Sequence, residues 1–204
     1  MKLRRPSSGL TAYIIVSLLI LGGVVSAILT TDSRWMEWHL SRLGEGGQLG
    51  AYVFNFTVGF CALLIGVFAR SITNDVRELD IATDKKRLVG RLLQMALGVV
   101  SVGMIGVAAF PFDRFPLIHN FFGYGTTITF VVLIAVLPKL LPVFTRKFSV
   151  LTYIFIVILG ILFGIYFATN QRGIPLIYIE LLAVVYFFAW IIALVHGTKV
   201  AARS

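Results

Sequence analysis

The chain has 204 residues, of which 58% are hydrophobic and 13% are charged, and its formal net charge is +9. A composition this apolar excludes an ordinary soluble domain. The basic residues are spread over several segments between apolar stretches, which is typical of a membrane protein facing anionic lipid headgroups and excludes a nucleic-acid groove.

Six apolar stretches, each of about 20 residues, follow one another along the chain. They cover residues 10–30, 51–70, 91–110, 119–141, 150–169 and 175–196. At about 1.5 Å per residue, each is long enough to cross a hydrocarbon core of roughly 30 Å. The sequence therefore predicts an all-α bundle of six transmembrane helices, with residues 1–204 forming a single membrane domain.

The basic residues lie mainly on one side of these stretches. Fourteen of the eighteen Lys and Arg residues lie before the first stretch, after the last, or at or between the neighbouring ends of stretches two and three and of stretches four and five. The other four are Arg34, Arg42, Arg114 and Arg172. By the positive-inside rule, both termini are predicted to be cytoplasmic, in a multi-pass protein of a prokaryotic cytoplasmic membrane.

The first stretch also has features of a signal peptide. Basic residues precede it, and Val25-Ser26-Ala27 resembles a small-residue cleavage site. Its apolar run of about 20 residues is longer than a typical signal core, however, which favours a span that is retained.

The segment between the first two stretches carries a helical pattern of its own. Asp32 is a typical N-cap residue, and Trp35, His39 and Arg42 then fall on one helical face. Two nearby Trp residues are common anchors at a membrane interface. The pattern predicts one short helix lying on the outer leaflet.

Small residues recur in the odd-numbered stretches and allow close helix packing. They include Gly22 and Gly23 in the first, Gly103 and Gly106 in the third, and the GxxxG pair Gly160 and Gly164 in the fifth. We therefore predict that the odd-numbered helices pack centrally.

Polar residues gather at one level, the outer third of the predicted bundle. The candidate pocket consists of His39, Ser41, Asn55, Asp113, His119 and Glu180. Polar groups are costly in a membrane and need partners there. We expect Asp113 within hydrogen-bond or one-water reach of His119, and Glu180 facing the interior beneath a cavity shared with His119 and Asn55.

Three interpretations of this cluster are open. It is a structural network in which Arg114 or Arg172 balances Glu180, a ligand cavity that takes an acyl chain and a headgroup, or a catalytic site. Catalysis would use the His and acidic residues as metal ligands, or Ser41 as a nucleophile beside a histidine. No HExxH, GxSxG or Cys-His spacing is present, which favours a non-enzymatic role with no metal and no cofactor.

Two short elements resemble a known family. The first is Ser41-Arg42-Leu43-Gly44 followed by Phe54-Asn55, and the second is Gly103-Met104-Ile105-Gly106-Val107 running to Pro111, Asp113 and His119. They resemble the signatures of a six-helix bacterial and archaeal family of unknown function, DUF998. That family is similar to the Frag1/DRAM/Sfk1 group, which is linked to lipid and anchor remodelling or membrane trafficking. The chain departs from the pattern at Ala108-Ala109-Phe110, which lengthens the turn before Pro111.

The predicted function combines these observations. We expect an integral membrane protein with a polar pocket at the outer leaflet, either lipid-interacting or an accessory component of the membrane. The alternative is a small membrane-embedded hydrolase or transferase acting on a lipid headgroup. Membrane lipids are the expected partners and nucleic acid is not, while a protein partner or a homo-oligomer is left open.

Overall fold

A computed structural model of the chain describes residues 7–170 and 173–202. Over these ranges it has six long helices, namely α1 Ser8–Leu29, α2 Leu49–Glu78, α3 Thr83–Ala109, α4 Pro116–Leu140, α5 Arg146–Ala168 and α6 Leu176–Ala201. All six are long and apolar enough to cross a membrane, which confirms the predicted all-α, six-span architecture. The predicted role of Arg172 concerns a residue outside the described ranges.

Helices α2 and α3 extend beyond the apolar stretches that predicted them. Residues 79–82 are all that separates them, so most of the charged segment between the two stretches is helical. The extension has an apolar face, on which Val76 and Val89 are fully buried and Leu79 is 1% exposed. Burial of this face holds the two helices together past the end of their apolar stretches.

Most of the core lies in one half of the bundle. This half, here called the terminal half, contains the starts of α1, α3 and α5 and the ends of α2, α4 and α6. Its buried side chains include Ile15, Phe68, Ile72, Leu93, Leu97, Ile134, Leu137, Trp190 and Leu194. The opposite half, here called the loop half, contains the connecting residues 30–48 and 110–115 and the described residues 169–170 and 173–175.

Small residues bring helices together in the loop half. A Cβ on Gly50 at the start of α2 would lie 2.9 Å from the carbonyl oxygen of Ser26 on α1. Ser26 Oγ also donates a hydrogen bond of 2.8 Å to the Gly50 carbonyl oxygen. A Cβ on Gly103 of α3 would lie 3.2 Å from the carbonyl oxygen of Phe122 on α4. The α1–α2 and α3–α4 hairpins are therefore closely packed.

The prediction that the odd-numbered helices pack centrally is wrong for α5. Over an 18-residue apolar part of each helix, 39% of residues are buried in α2 and α3 and 28% in α1, against 22% in α4 and α6 and 17% in α5. A Cβ on Gly160 or Gly164 of α5 would meet nothing within 4 Å. The GxxxG pair thus makes no close helix contact among the described residues, because small residues permit close packing without requiring it.

Candidate functional site

The long loop, residues 30–48, does not form the single helix that its pattern predicted. It forms two 3₁₀ turns, Trp35–Glu37 and Leu40–Gly44, with His39 in an extended conformation between them. The Trp38 carbonyl oxygen accepts a 2.9 Å hydrogen bond from the Ile177 N–H of α6. Arg42 N–H instead donates to the His39 carbonyl, so the helical register is broken at Trp38. The break points His39 and Ser41 toward the bundle.

Further contacts fasten this loop. The carboxylate of Glu180 in α6 accepts a hydrogen bond from the Leu40 N–H, and Asn55 Nδ2 of α2 donates to the Gly44 carbonyl at 2.9 Å. Arg42 pairs with Asp32, and the hydrogen bond from its guanidinium holds the pKa of Asp32 below its usual value. The loop is thereby tied to α2 and α6.

The centre of the site is the Ser41 hydroxyl, which lies between two imidazoles. Ser41 Oγ is 2.9 Å from Nδ1 of His39 and 3.0 Å from Nε2 of His119 in α4. The other nitrogen of His119, Nδ1, lies 2.9 Å from the Phe110 carbonyl oxygen. The other nitrogen of His39, Nε2, lies 3.5 Å from Oε1 of Glu45. Four groups thus form one hydrogen-bonded chain from His39 to the Phe110 carbonyl, and Glu45 faces the His39 end of this chain without a hydrogen bond.

The Phe110 carbonyl fixes the donor-to-acceptor direction of the hydrogen bonds in this series. A carbonyl oxygen only accepts, so Nδ1 of His119 carries the proton. In the neutral ring, Nε2 then accepts from the Ser41 hydroxyl. Since Ser41 has one proton to give, Nδ1 of His39 must donate to it. That leaves Nε2 of neutral His39 as an acceptor facing Glu45, a position suited to a protonated carboxyl group.

The electrostatics of the loop residues agree with this direction. Burial, followed by the field of His119, lowers the pKa of His39 to about 4, so its ring is neutral near pH 7. Burial raises the pKa of Glu45 to about 7. Below pH 7, a neutral His39 beside a protonated Glu45 avoids placing isolated charges in a half-buried site.

An apolar cavity of about 490 Å³ lies among the helices of the loop half. Its wall is apolar apart from Thr57, Thr126 and Thr127. Residues of α1 and α6 form one side of it, and Trp35, Leu40 and Leu43 of the long loop also line it. Leu40 and Leu43 belong to the same 3₁₀ turn as Ser41, so the polar cluster and the apolar cavity share this turn.

A family model described as a protein of unknown function, DUF998, matches residues 14–197. The matched segment begins in α1 and ends in α6, and it includes the whole site. The chain is a member of the DUF998 family. No curated protein and no solved structure matches it. The more distant similarity to the Frag1/DRAM/Sfk1 group stays a prediction.

In this DUF998 protein, the candidate pocket residues do not all meet. Ser41, His39 and His119 are in contact, while Asn55 and Glu180 bind the backbone of the long loop instead. Asp113 does not hydrogen-bond His119 directly, because the Phe110 carbonyl and Ser41 take both ring nitrogens. Asp113 Oδ2 accepts from the Gly46 N–H at 3.2 Å. The described residues include no group of three or more His, Cys, Asp or Glu side chains that could hold a metal ion.

Three participants were missed from the DUF998 sequence. Glu45 faces His39, the Phe110 carbonyl orients His119, and the Phe112 ring packs between the two histidines. The Phe112 centroid lies 4.9 Å from that of His39 and 5.8 Å from that of His119. The four-residue spacing from Ser41 to Glu45 was the available signal for the acid. A backbone carbonyl leaves no signal in sequence.

The raised pKa of Glu45 predicts a pH-dependent stability. Its contribution is complete below the unfolded pKa of 4.5 and is lost as the pH rises through about 7. Allowing for solvent screening, we expect a loss of roughly 1 kcal/mol between pH 6 and pH 8, or about 2–4 °C in Tm. Glu45→Gln should remove this loss, because burial raises the pKa of Glu45 and a glutamine side chain does not ionise. Glu37→Gln, at an exposed acid of the same loop, is the matched control.

Thermal unfolding of the purified protein at a series of pH values measures this effect. The His39 contribution follows the opposite sign, being lost as the pH falls from 6.5 through about 4, so the comparison is made above pH 6.5. Parallel Tm curves for wild type and Glu45→Gln over that range would contradict the raised pKa of Glu45.

Proposed function

We propose that this DUF998 protein binds a membrane lipid, with an acyl chain in the cavity of the loop half and the headgroup at the Ser41 cluster. The observation that carries the proposal is the juxtaposition of a long apolar cavity with a polar cluster through one 3₁₀ turn. A cavity of about 490 Å³ is within the range of small-molecule sites, which combine apolar walls with a few placed polar groups.

The position of the cavity supports entry from the bilayer. Its lining includes Ile20 and Val24 of α1 and Leu181 and Val185 of α6. These side chains are 51%, 53%, 37% and 63% exposed, so the wall they form is open on its outer side. In a membrane that side faces lipid, and an acyl chain can move between α1 and α6 without crossing water.

The ends of α1 and α6 support the same route. In the terminal half, a Cβ on Gly9 of α1 would lie 3.4 Å from the Val195 side chain of α6. In the loop half, Gly23 of α1 would meet nothing within 4 Å and lines the cavity. The two helices are thus in contact at one end and leave space at the other.

Gly23 gives a direct test. We expect Gly23→Phe to fill the cavity without a clash, since its Cβ points into open space. Gly160→Phe makes the same change on α5, also into open space but away from the cavity. Native mass spectrometry of protein purified in mild detergent should show lipid bound to wild type and Gly160→Phe, and at least tenfold less on Gly23→Phe. Equal lipid retention by the two variants would refute the cavity as the binding site.

We also propose that the loop half faces outward in the cytoplasmic membrane, that both termini are cytoplasmic, and that the chain works as one membrane domain. The distribution of Lys and Arg supports this orientation. In intact cells, an impermeant thiol reagent should label Ser33→Cys and not Thr83→Cys. Native Cys61 is fully buried and provides a silent background. Labelling of Thr83→Cys alone would show that the chain has the opposite orientation.

The second candidate function is a membrane-embedded hydrolase or transferase acting on the bound lipid. The contact between the Ser41 hydroxyl and the Nε2 lone pair of His119 favours it.

A further inference from the structure

We propose that Ser41 is the nucleophile of an acyl-transfer reaction on lipid esters, with His119 as its general base. This inference rests on the proposed lipid site and names its chemistry. It starts from the Ser41 hydroxyl, which two imidazoles contact at 2.9 and 3.0 Å. A single hydrogen bond would satisfy a structural serine, whereas a nucleophile needs a base to take its proton.

His119 meets the requirements of that base. Its Nδ1–H donates to the Phe110 carbonyl oxygen at 2.9 Å, which sets the ring orientation and leaves a lone pair on Nε2. Nε2 lies 3.0 Å from Ser41 Oγ, within reach for proton transfer. This is the nucleophile, base and orienting group of a serine hydrolase, with a backbone carbonyl in place of the usual carboxylate.

His39 is a positioning residue for the same hydroxyl. Its Nδ1–H donates to one lone pair of Ser41 Oγ, while the Ser41 proton points to His119. The second lone pair of Oγ is then free to attack. Edge-on packing of the Phe112 ring against both histidines holds the imidazoles in place. The arrangement restricts the Ser41 rotamer before any substrate binds.

The cavity determines the substrate class. Leu40 and Leu43 line it, and both lie in the 3₁₀ turn that carries Ser41. An acyl chain filling the cavity would place the polar end of the lipid, with its ester carbonyl, at the same turn. Glycerolipids and other acyl esters of long-chain acids have this shape. An apolar cavity selects for the chain, and the nucleophile acts on the carbonyl that follows it.

The reaction uses only Ser41, His119, the bound ester, and water or an acceptor alcohol. Ser41 Oγ forms a bond to the ester carbonyl carbon as its proton moves to Nε2 of His119. The ester C–O bond then breaks, and the leaving alkoxide takes that proton and departs as an alcohol. In the second half, His119 deprotonates water or an acceptor alcohol, which attacks the acyl-Ser41. The products are a carboxylic acid or a new ester, and Ser41 is restored.

A fluorophosphonate probe with a long alkyl chain tests this directly on the purified full-length protein. We expect phosphonylation at Ser41, mapped by peptide mass spectrometry, and its complete loss in Ser41→Ala. His119→Gln should slow labelling by about 10²–10⁴-fold, the usual contribution of a general base. Ser33→Ala removes an exposed serine of the same loop and should label like wild type.

Two results would overturn the proposal: a wild-type Ser41 that is not labelled, or equal labelling of folded His119→Gln and wild type. The first result is decisive even if a variant fails to fold, because it is measured on the wild-type protein. Lipid retention by the wild-type protein separates this proposal from the one it rests on, since it is measured with the cavity and the Ser41 cluster both unchanged. Bound lipid without Ser41 labelling would refute catalysis alone, and Gly23→Phe retaining as much lipid as Gly160→Phe would refute the site itself.

Discussion

Glu180→Leu should lower the unfolding temperature of the detergent-solubilised protein by several degrees, while Glu180→Gln should stay close to wild type. The Glu180 carboxylate accepts from the Leu40 N–H. Leucine would leave this partly buried N–H without a partner, which costs about 1–3 kcal/mol of stability. Each kcal/mol corresponds to roughly 2–4 °C in Tm for a protein of this size. The Gln side-chain oxygen still accepts the hydrogen bond and carries no charge.

This difference in Tm is measured by heating each variant to a series of temperatures and determining the folded fraction that remains by size-exclusion chromatography. Tyr178→Leu is the matched control, because it lies two residues away on the same helix and is 55% exposed. It should leave Tm nearly unchanged. Coinciding curves for Glu180→Leu and Glu180→Gln would show that the hydrogen bond does not hold the long loop on α6.

Gly50→Ala should also destabilise the loop half, by about 1–3 kcal/mol, the usual cost of overpacking. A Cβ there would lie 2.9 Å from the Ser26 carbonyl oxygen, 3.0 Å from Thr30 N and 3.1 Å from Leu29 C. All three are backbone atoms, which cannot rotate away as a side chain does. Relief therefore requires α1 and α2 to separate, with loss of the Ser26–Gly50 hydrogen bond.

Gly59→Ala on the same helix provides the control. Its Cβ would lie 3.7 Å from that of Ala108, which is ordinary van der Waals contact. This change should stabilise α2 by roughly 0.5–1 kcal/mol, because alanine loses less backbone entropy in a helix than glycine does. A Gly50→Ala protein as stable as Gly59→Ala would contradict the close approach of α1 and α2.

The sequence predicted the features that depend on local composition. Continuous apolar stretches gave the six helices with small errors at their ends, since a membrane span needs length and hydropathy alone. The contact of Ser41 with His119 was within the predicted cluster, because polar groups at one depth tend to find one another. Family membership followed from short elements around Ser41 and Pro111.

What could not be predicted depends on contacts distant in sequence. The pattern of Trp35, His39 and Arg42 predicts a helix, but the hydrogen bond from the Ile177 N–H to the Trp38 carbonyl oxygen breaks that helix. Asp113 was expected within hydrogen-bond or one-water reach of His119, and the direct form of that bond is absent because the Phe110 carbonyl at the end of α3 and Ser41 contact the two ring nitrogens. The α5 glycines match a packing motif without a close contact among the described residues. In each case a backbone group or a distant helix decides the outcome.

The tie between the long loop and α6 has a consequence for biogenesis. The Leu40 N–H and its Glu180 acceptor are 140 residues apart, and translation delivers the N-terminal partner first. The loop therefore emerges from the ribosome long before the helix that fixes its conformation. A nascent chain that ends after α5 would have five spans in the bilayer and the serine in place, but its hydroxyl would belong to an unfastened loop. Insertion of the sixth span is thus the step that completes the site.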